Sequence, residues 1–204
     1  MTGEPITTLY DYQLSLLHAM CRSAPAQATD LLERIGATPA DTEMAEKRWW
    51  WSAASNKFTS IAEYVSAWGA AESEDTYTEG DTWSRRARWD LSFWPGLQME
   101  FTEFSRGPRQ VWRRLLRRPE MPRPRIDGIT DLTPWSCTTE EFHDSMLGPF
   151  AHVDGLGSTG DITAFNATDP DSGHRGIYWA RFDWGLLQSV EPAPERYDKY
   201  VWRP

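Results

Sequence analysis

Cysteine is nearly missing from this chain: Cys21 and Cys137 are the two in 204 residues, far apart and in unlike contexts. They make no disulfide framework and read as two reduced thiols. Lysine is scarce as well, three against eighteen arginines. The cations present are therefore planar forks that pair bidentately with carboxylates and stack on aromatic faces. The N-terminal segment carries Glu4 and Asp11 and no basic cluster, unlike a secretory signal. No apolar run approaches the ~18–20 residues that cross a bilayer. The chain thus reads as cytoplasmic, with no membrane partner. It has no internal repeat and no low-complexity tract. CxxC, HxxxH and HExxH are all absent, and neither a metal nor a cofactor is expected.

Aromatic side chains are what the sequence has in quantity. Twelve tryptophans, seven tyrosines and eight phenylalanines sit in a chain of net charge −9. Such residues dominate both cores and interfaces, because each buries a large apolar area while Trp and Tyr keep a polar handle. The acidic balance argues against non-specific binding of nucleic acid or anionic membrane. The charge is uneven, however. Residues 106–125 hold eight arginines and one glutamate, a local +7 that leaves −16 for the rest.

Helical periodicity fills the first third. Leu9, Tyr12, Leu16, Leu17 and Met20 form one apolar stripe. Ser23 and Pro25 start a second helix, buried through Leu31, Leu32 and Ile35 and stopped by Gly36. Thr38-Pro39 opens a third that carries Met44, Trp49, Trp50 and Trp51. Three consecutive tryptophans span too much of a helix circumference for one buried stripe, so at least one faces a neighbouring element or solvent. A fourth helix begins near Thr59, with Ile61, Val65 and Trp68 inward and Gly69 near its end.

The period then becomes two. Trp83 to Phe93 alternates, with Trp89, Leu91 and Phe93 on the apolar side. After Pro95-Gly96, Leu97, Met99 and Phe101 alternate with Gln98, Glu100 and Thr102. A three-residue loop from Trp94 to Gly96 is expected, pairing Phe93 with Leu97, Leu91 with Met99 and Trp89 with Phe101. A short helix is expected over 108–118, with Val111, Leu115 and Trp112 inward. Thr138 and Glu141 form a capping box before Phe142, Met146 and Leu147, with Gly148-Pro149 as a stop. Asp161–Ala167 and Gly176–Trp184 read as a hairpin around Asp169–Gly173, with Tyr178, Ala180, Phe182 and Trp184 on one face. The class is α+β: about four N-terminal helices, then a mostly antiparallel sheet built from hairpins, with one or two further short helices. A single domain is expected, helical over 1–74 and strand-rich over 75–204, with 106–125 as a Pro/Arg-rich connector.

Chemical motifs are weak. Gly155–Gly160 matches a dinucleotide fingerprint as a string, but a strand follows it where phosphate binding needs a helix N-terminus. Asp169–Gly173 lacks the distal glutamate of a calcium loop and reads as a hairpin turn. The catalytic candidates are Cys137 with His143 or His152, aided by Asp144 or Asp154, since a thiol before a helix N-terminus is acidified. Glu140 and Glu141 oppose that effect. Trp49, Trp50, Trp51, Trp94, Trp179 and Trp202 are candidate binding anchors. Arg113, Arg114, Arg117 and Arg118 beside Trp112 resemble a phosphate-tracking patch, although the overall negative field disfavours polyanions. The profile fits a module that recognises another protein, of the kind represented by acidic immunity or antitoxin-type inhibitors. Three adjacent tryptophans and an edge of strand-rich sequence would also suit a homodimer. The alternatives are a Trp-lined small-molecule or catalytic pocket, and nucleic-acid binding through the arginines.

Overall fold

A computed structural model of the chain describes residues 8–55, 57–106, 111–154, 160–169, 171–173 and 175–194. Helices come first: α1 (Leu9–Ser23), α2 (Pro25–Ile35), α3 (Pro39–Ala54) and α4 (Ile61–Trp68). Strands β1 (Ser73–Glu79), β2 (Thr82–Asp90), β3 (Leu97–Phe104) and β4 (Val111–Arg117) follow, then α5 (Thr139–His143) and strands β5 (Phe150–Asp154), β6 (Gly160–Thr168), β7 (Arg175–Asp183) and β8 (Leu186–Pro192). The strands form two four-stranded antiparallel meanders, β1-β2-β3-β4 and β5-β6-β7-β8. The α+β class expected from the pattern is the class observed. The chain divides into two compact units, Met1–Met121 and Pro122–Pro204.

In the first unit each helix starts and stops where local chemistry asks it to. The Thr8 side chain caps α1, Pro25 occupies the first turn of α2, and Gly36 closes α2 at φ 68°. Such a left-handed position favours glycine. Thr38 and Asp41 make a reciprocal box at α3, and Glu63 accepts from the Ser60 amide at α4. Helix α1 is buried through Tyr12, Gln13, Leu14, Ser15, Leu16, Leu17 and Met20. It is thus enclosed over more of its circumference than a single stripe implies. Between helices and sheet lies an aromatic cluster. Tyr12 meets Trp49 and Trp68, Phe58 meets Tyr64 and Trp68, and Phe101 meets Tyr64, Trp68 and Trp89. Many of these contacts are edge-on or tilted, the arrangements that ring quadrupoles favour.

The β2–β3 register differs from expectation. Trp89 pairs with Met99 and Ala87 with Phe101, two residues removed from the expected partners, so every side chain keeps its face. Leu91 is the residue that closes on Leu97, leaving a five-residue loop from Ser92 to Gly96. The reason is tertiary. Phe93 is buried, its amide donates to Gln13 Oε1 at 2.9 Å, and its carbonyl accepts from Arg34 at 3.0 Å. Gln13 Nε2 also donates to Ser92 Oγ at 3.2 Å. The loop docks on α1 and α2 instead of making a tight turn.

The short helix expected over 108–118 is instead strand β4 over its described part, paired antiparallel along β3. Val111 and Leu115 are four apart, a spacing that puts them on one face of either a helix or a strand. Trp112 distinguishes the two, and it points away from them into solvent. Ladder bonds to β3 override the local preference.

The second unit packs its sheet on Ile126, Leu132, Cys137 and Phe142, with Phe165, Tyr178, Ala180, Phe182 and Leu187 from the strands. The capping box at Thr138 forms, with Glu141 Oε2 accepting from the Thr138 amide at 2.9 Å. Helix α5 ends after one turn, and Met146 beyond it is 90% exposed. The β6–β7 hairpin pairs Phe165 with Tyr178 and Thr168 with Arg175. Asp169 accepts from the amides of Asp171 and Ser172 in its turn. Trp184 does not continue the Tyr178–Phe182 face. It sits at φ 53° before Gly185 at φ 84°, in the turn to β8. The Gly155–Thr159 part of the fingerprint string, Pro108 and Trp202 lie outside the described residues.

Two outcomes follow from these contacts. Gln13→Ala leaves the buried Phe93 amide without its acceptor and should cost about 1–3 kcal/mol, read from urea denaturation; a loss near zero would show that the loop does not depend on Gln13. Asp41 is held below the ordinary carboxylate range by the Thr38 hydroxyl and amide. The folded state therefore takes up that proton less readily than the unfolded chain, and the cap's contribution is complete above the unfolded value of about 3.9. It is lost as pH falls through the lowered folded value. Asp41→Asn should flatten the acid limb of the stability profile below about pH 4; an unchanged limb would deny the linkage.

Candidate functional site

Antiparallel pairing sorts the first sheet into two faces. Ala87, Trp89, Met99, Phe101 and Leu115 are buried on one. The other is written by the register: Ser73, Arg88, Glu100 and Arg114 lie in one row across the strands, then Asp75, Arg86, Thr102 and Trp112, then Tyr77, Ser84 and Phe104. Three aromatics on this second face are open to solvent, Trp112 at 66%, Tyr77 at 58% and Phe104 at 49%. Phe104 and Trp112 meet edge to face at 6.4 Å between centroids. Beside them, Tyr77, Trp83, Phe104 and Arg106 border a cleft of about 370 Å³.

An ion network flanks the aromatic rows. Glu100, 2% exposed, accepts from Arg88 Nη2 at 2.7 Å and from Arg114 Nη2 at 3.0 Å. Arg88 also reaches Asp75 at 2.9 Å. Burial works against the Arg88 charge, but the hydrogen bonds and charges of Glu100 and Asp75 outweigh it and raise its pKa. The face thus offers apolar rings beside a cross-braced polar floor, an arrangement that can take up a protein surface without rebuilding itself.

The sequence-derived anchors divide between core and surface. Trp49 is buried in the aromatic cluster, whereas Trp50 and Trp51 are half exposed on the outer side of α3. Trp94 is buried in the docked loop and Trp179 is half buried in β7. The arginines do not form one anion-binding track. Arg113 shares the inner face with Phe101, its guanidinium 5.0 Å from the centre of the Trp49 ring and its charge acting on the Tyr12 hydroxyl. Tyr12 is nonetheless pushed up to about 12, because burial outweighs the Arg113 charge. Arg114 projects onto the outer face and pairs with Glu100. Arg117 lies beside Gly96. Arg118 bridges to Asp90 at 3.0 Å and also pairs with Glu120.

The catalytic candidates are not brought into an accessible constellation. Cys137 is 0% exposed within the apolar core of the second unit. His143 stands at the surface, 3.5 Å from Thr163 Oγ1, and His152 pairs with Asp161 at 2.7 Å. Among the described residues no group of three or more His, Cys, Asp or Glu side chains converges as metal ligands would. No helix among them is long and apolar enough to cross a membrane. A row that the sequence did not announce joins α1 to α3. His18 lies 3.1 Å from Glu46 Oε2 on one nitrogen and 3.1 Å from Thr42 Oγ1 on the other. Thr42 is fully buried and donates to the Pro39 carbonyl at 2.8 Å, so the row fastens two helices and offers no nucleophile to a substrate.

Tyr77 and Phe104 were missing from the sequence-derived anchors, although parity could have found them. Phe104 falls in step with Gln98, Glu100 and Thr102, and Tyr77 is the lone large apolar residue of a strand reading SEDTYTE. Removing one member of a fully buried ion pair costs about 3–5 kcal/mol. The partial exposure of Arg88 and Arg114 reduces this, so Glu100→Ala should lower the unfolding free energy by about 2 kcal/mol. A urea titration showing less than about 0.5 kcal/mol would reduce the network to ordinary surface pairs.

No family model matches the chain, and no curated protein matches it. Among solved structures, a Streptococcus mutans chain described as a "putative beta-lactamase inhibitor protein" aligns at 12% identity, over 66% of this chain and 82% of that one, with a TM-score of 0.25.

Proposed function

We propose that the chain is a protein-recognition module, of the inhibitor type represented by immunity proteins and antitoxins, working in the cytoplasm. Its contact surface is the outer face of the β1–β4 sheet. The observation that carries this reading is the placement of Tyr77, Phe104 and Trp112 on one sheet face, each about half exposed or more. Interface energy concentrates in a few aromatic and arginine side chains surrounded by polar groups that exclude water. Trp112 and Phe104 touch each other edge-on and belong to no part of the buried aromatic cluster. Their rings are available to a partner at little cost to the fold. The rigid sheet beneath them holds the rings in place, so little conformational entropy is lost on docking.

Site-specific photo-crosslinking in the native cells tests the proposal. A benzophenone side chain at position 112, 104 or 77 should give the same discrete adduct with another protein. The same group at Glu33, exposed on α2, should give none. Trp112→Ala should leave the thermal midpoint within about 2 °C of the parent, since surface substitutions change stability by about 0.5 kcal/mol or less. Adducts of equal yield from Glu33 and the sheet face, or none from any of the three aromatic positions, would overturn this assignment.

A further inference from the structure

Arg86 stands in the middle of the outer face, opposite Asp75 on one side and Thr102 on the other. It belongs to the same row as Trp112 and is diagonal to Tyr77 and Phe104, the neighbouring positions that lie about 7–8 Å away across a strand pair. Two neighbouring cations of this face are engaged: Arg88 holds Glu100 and Asp75, and Arg114 holds Glu100. Asp75 faces Arg86 across the strands, but its carboxylate is given to Arg88 at 2.9 Å. Among the described residues the Arg86 side chain makes neither an ion pair nor a hydrogen bond, although the residue is half buried. A half-buried, unpaired guanidinium in the row between Asp75 and Trp112 is incompletely solvated and keeps its fork free for a planar bidentate acceptor.

We infer that Arg86 takes a carboxylate from the partner, an Asp or Glu side chain flanked by apolar residues that cover Tyr77, Phe104 and Trp112. This rests on the recognition reading above and adds the partner's chemistry to it. A single carboxylate fits better than a polyanion, because Arg86, Arg88 and Arg114 stand against Asp75 and Glu100 in these two rows, three positive charges to two negative, which leaves one positive charge to be met. The chain's net charge of −9 acts chiefly on the approach of a partner. At contact, within the Debye length of about 8 Å at physiological salt, the local pair decides.

A displayed library of random dodecapeptides, selected on the full chain and counter-selected on Trp112→Ala, supplies the probes. Peptides that need Trp112 should carry Asp or Glu next to apolar residues. Changing that acid to its amide should weaken binding about tenfold or more. Arg86→Gln should weaken the parent peptide by a similar factor and the amide peptide hardly at all, the coupling expected of a direct pair. The unfolding midpoint of Arg86→Gln, measured alongside, should match the parent. Trp112-dependent peptides that carry no acid, or that bind Arg86→Gln as well as the parent, would overturn the carboxylate assignment while leaving the recognition face intact. No Trp112-dependent peptide at all would overturn both. Binding of a fluorescent oligothymidylate that is lost in both Trp112→Ala and Arg86→Gln would overturn it in favour of a nucleic acid.

Discussion

The register of β2, β3 and β4 fixes on which side of the first sheet every residue stands, and the aromatic cluster is what holds that register. Trp89, Phe101 and Met99 are enclosed beneath Tyr12, Tyr64 and Trp68. A slip of one residue would turn these side chains to water and drive Arg88, Glu100 and Thr102 into an apolar layer. Truncating a single Trp or Phe in such a core costs about 3–5 kcal/mol, and a slip would forfeit several at once. The outward placement of Tyr77, Arg86, Phe104 and Trp112 is therefore a consequence of the core. These four side chains supply none of the force that keeps them there. The face is rigid for reasons unrelated to what it contacts.

The arginine-rich strand shows the same parity at work on one residue type. Arg113, on the inner face, completes the aromatic cluster. Its planar guanidinium lies over the Trp49 ring, a stacking geometry that a lysine ammonium would not reproduce. Arg114, one residue on, faces outward and braces Glu100. A run that looks like a single block of positive charge in the sequence is thus split by the pleat into a structural group and a surface group. Neither is free to track a phosphate backbone.

Much of the fold was legible, and the misses have identifiable causes. The helix starts at Thr38-Pro39 and Pro25, the stop at Gly36 and the box at Thr138 are local signals, and each lies where those residues put it. The parity of β2 and β3 was also legible, because a period of two survives an error in loop length. The loop itself was not. Its length depends on Gln13, some eighty residues away in the chain and 2.9 Å away in space. Strand β4 was misread as a helix because the spacing of Val111 and Leu115 serves both, and only pairing with β3 decides. That misreading also tied Trp112 to a helix face or an arginine patch, whereas the strand sets it beside Phe104 on the outer face. For the site, tryptophan abundance pointed to recognition, yet it marked Trp49 and Trp94, which the structure buries. Exposure depends on tertiary packing, and adjacency in sequence carries little of it.

Selectivity on such a face comes from joining two weak requirements. Apolar cover over Tyr77, Phe104 and Trp112 is favourable for almost any greasy surface and discriminates little. A guanidinium among those rings changes that. An apolar partner without an acceptor would bury Arg86 with its donors unmet, and an unmet charged donor costs more than the pair itself contributes. An acidic partner without apolar cover would meet the acidic field of the chain with only the Arg86 charge to offset the repulsion. Only a surface that presents both, in the right spacing, gains from each. The single unmet charge at Arg86 therefore sharpens the choice, because a partner gains nothing from more negative charge than one fork can hold.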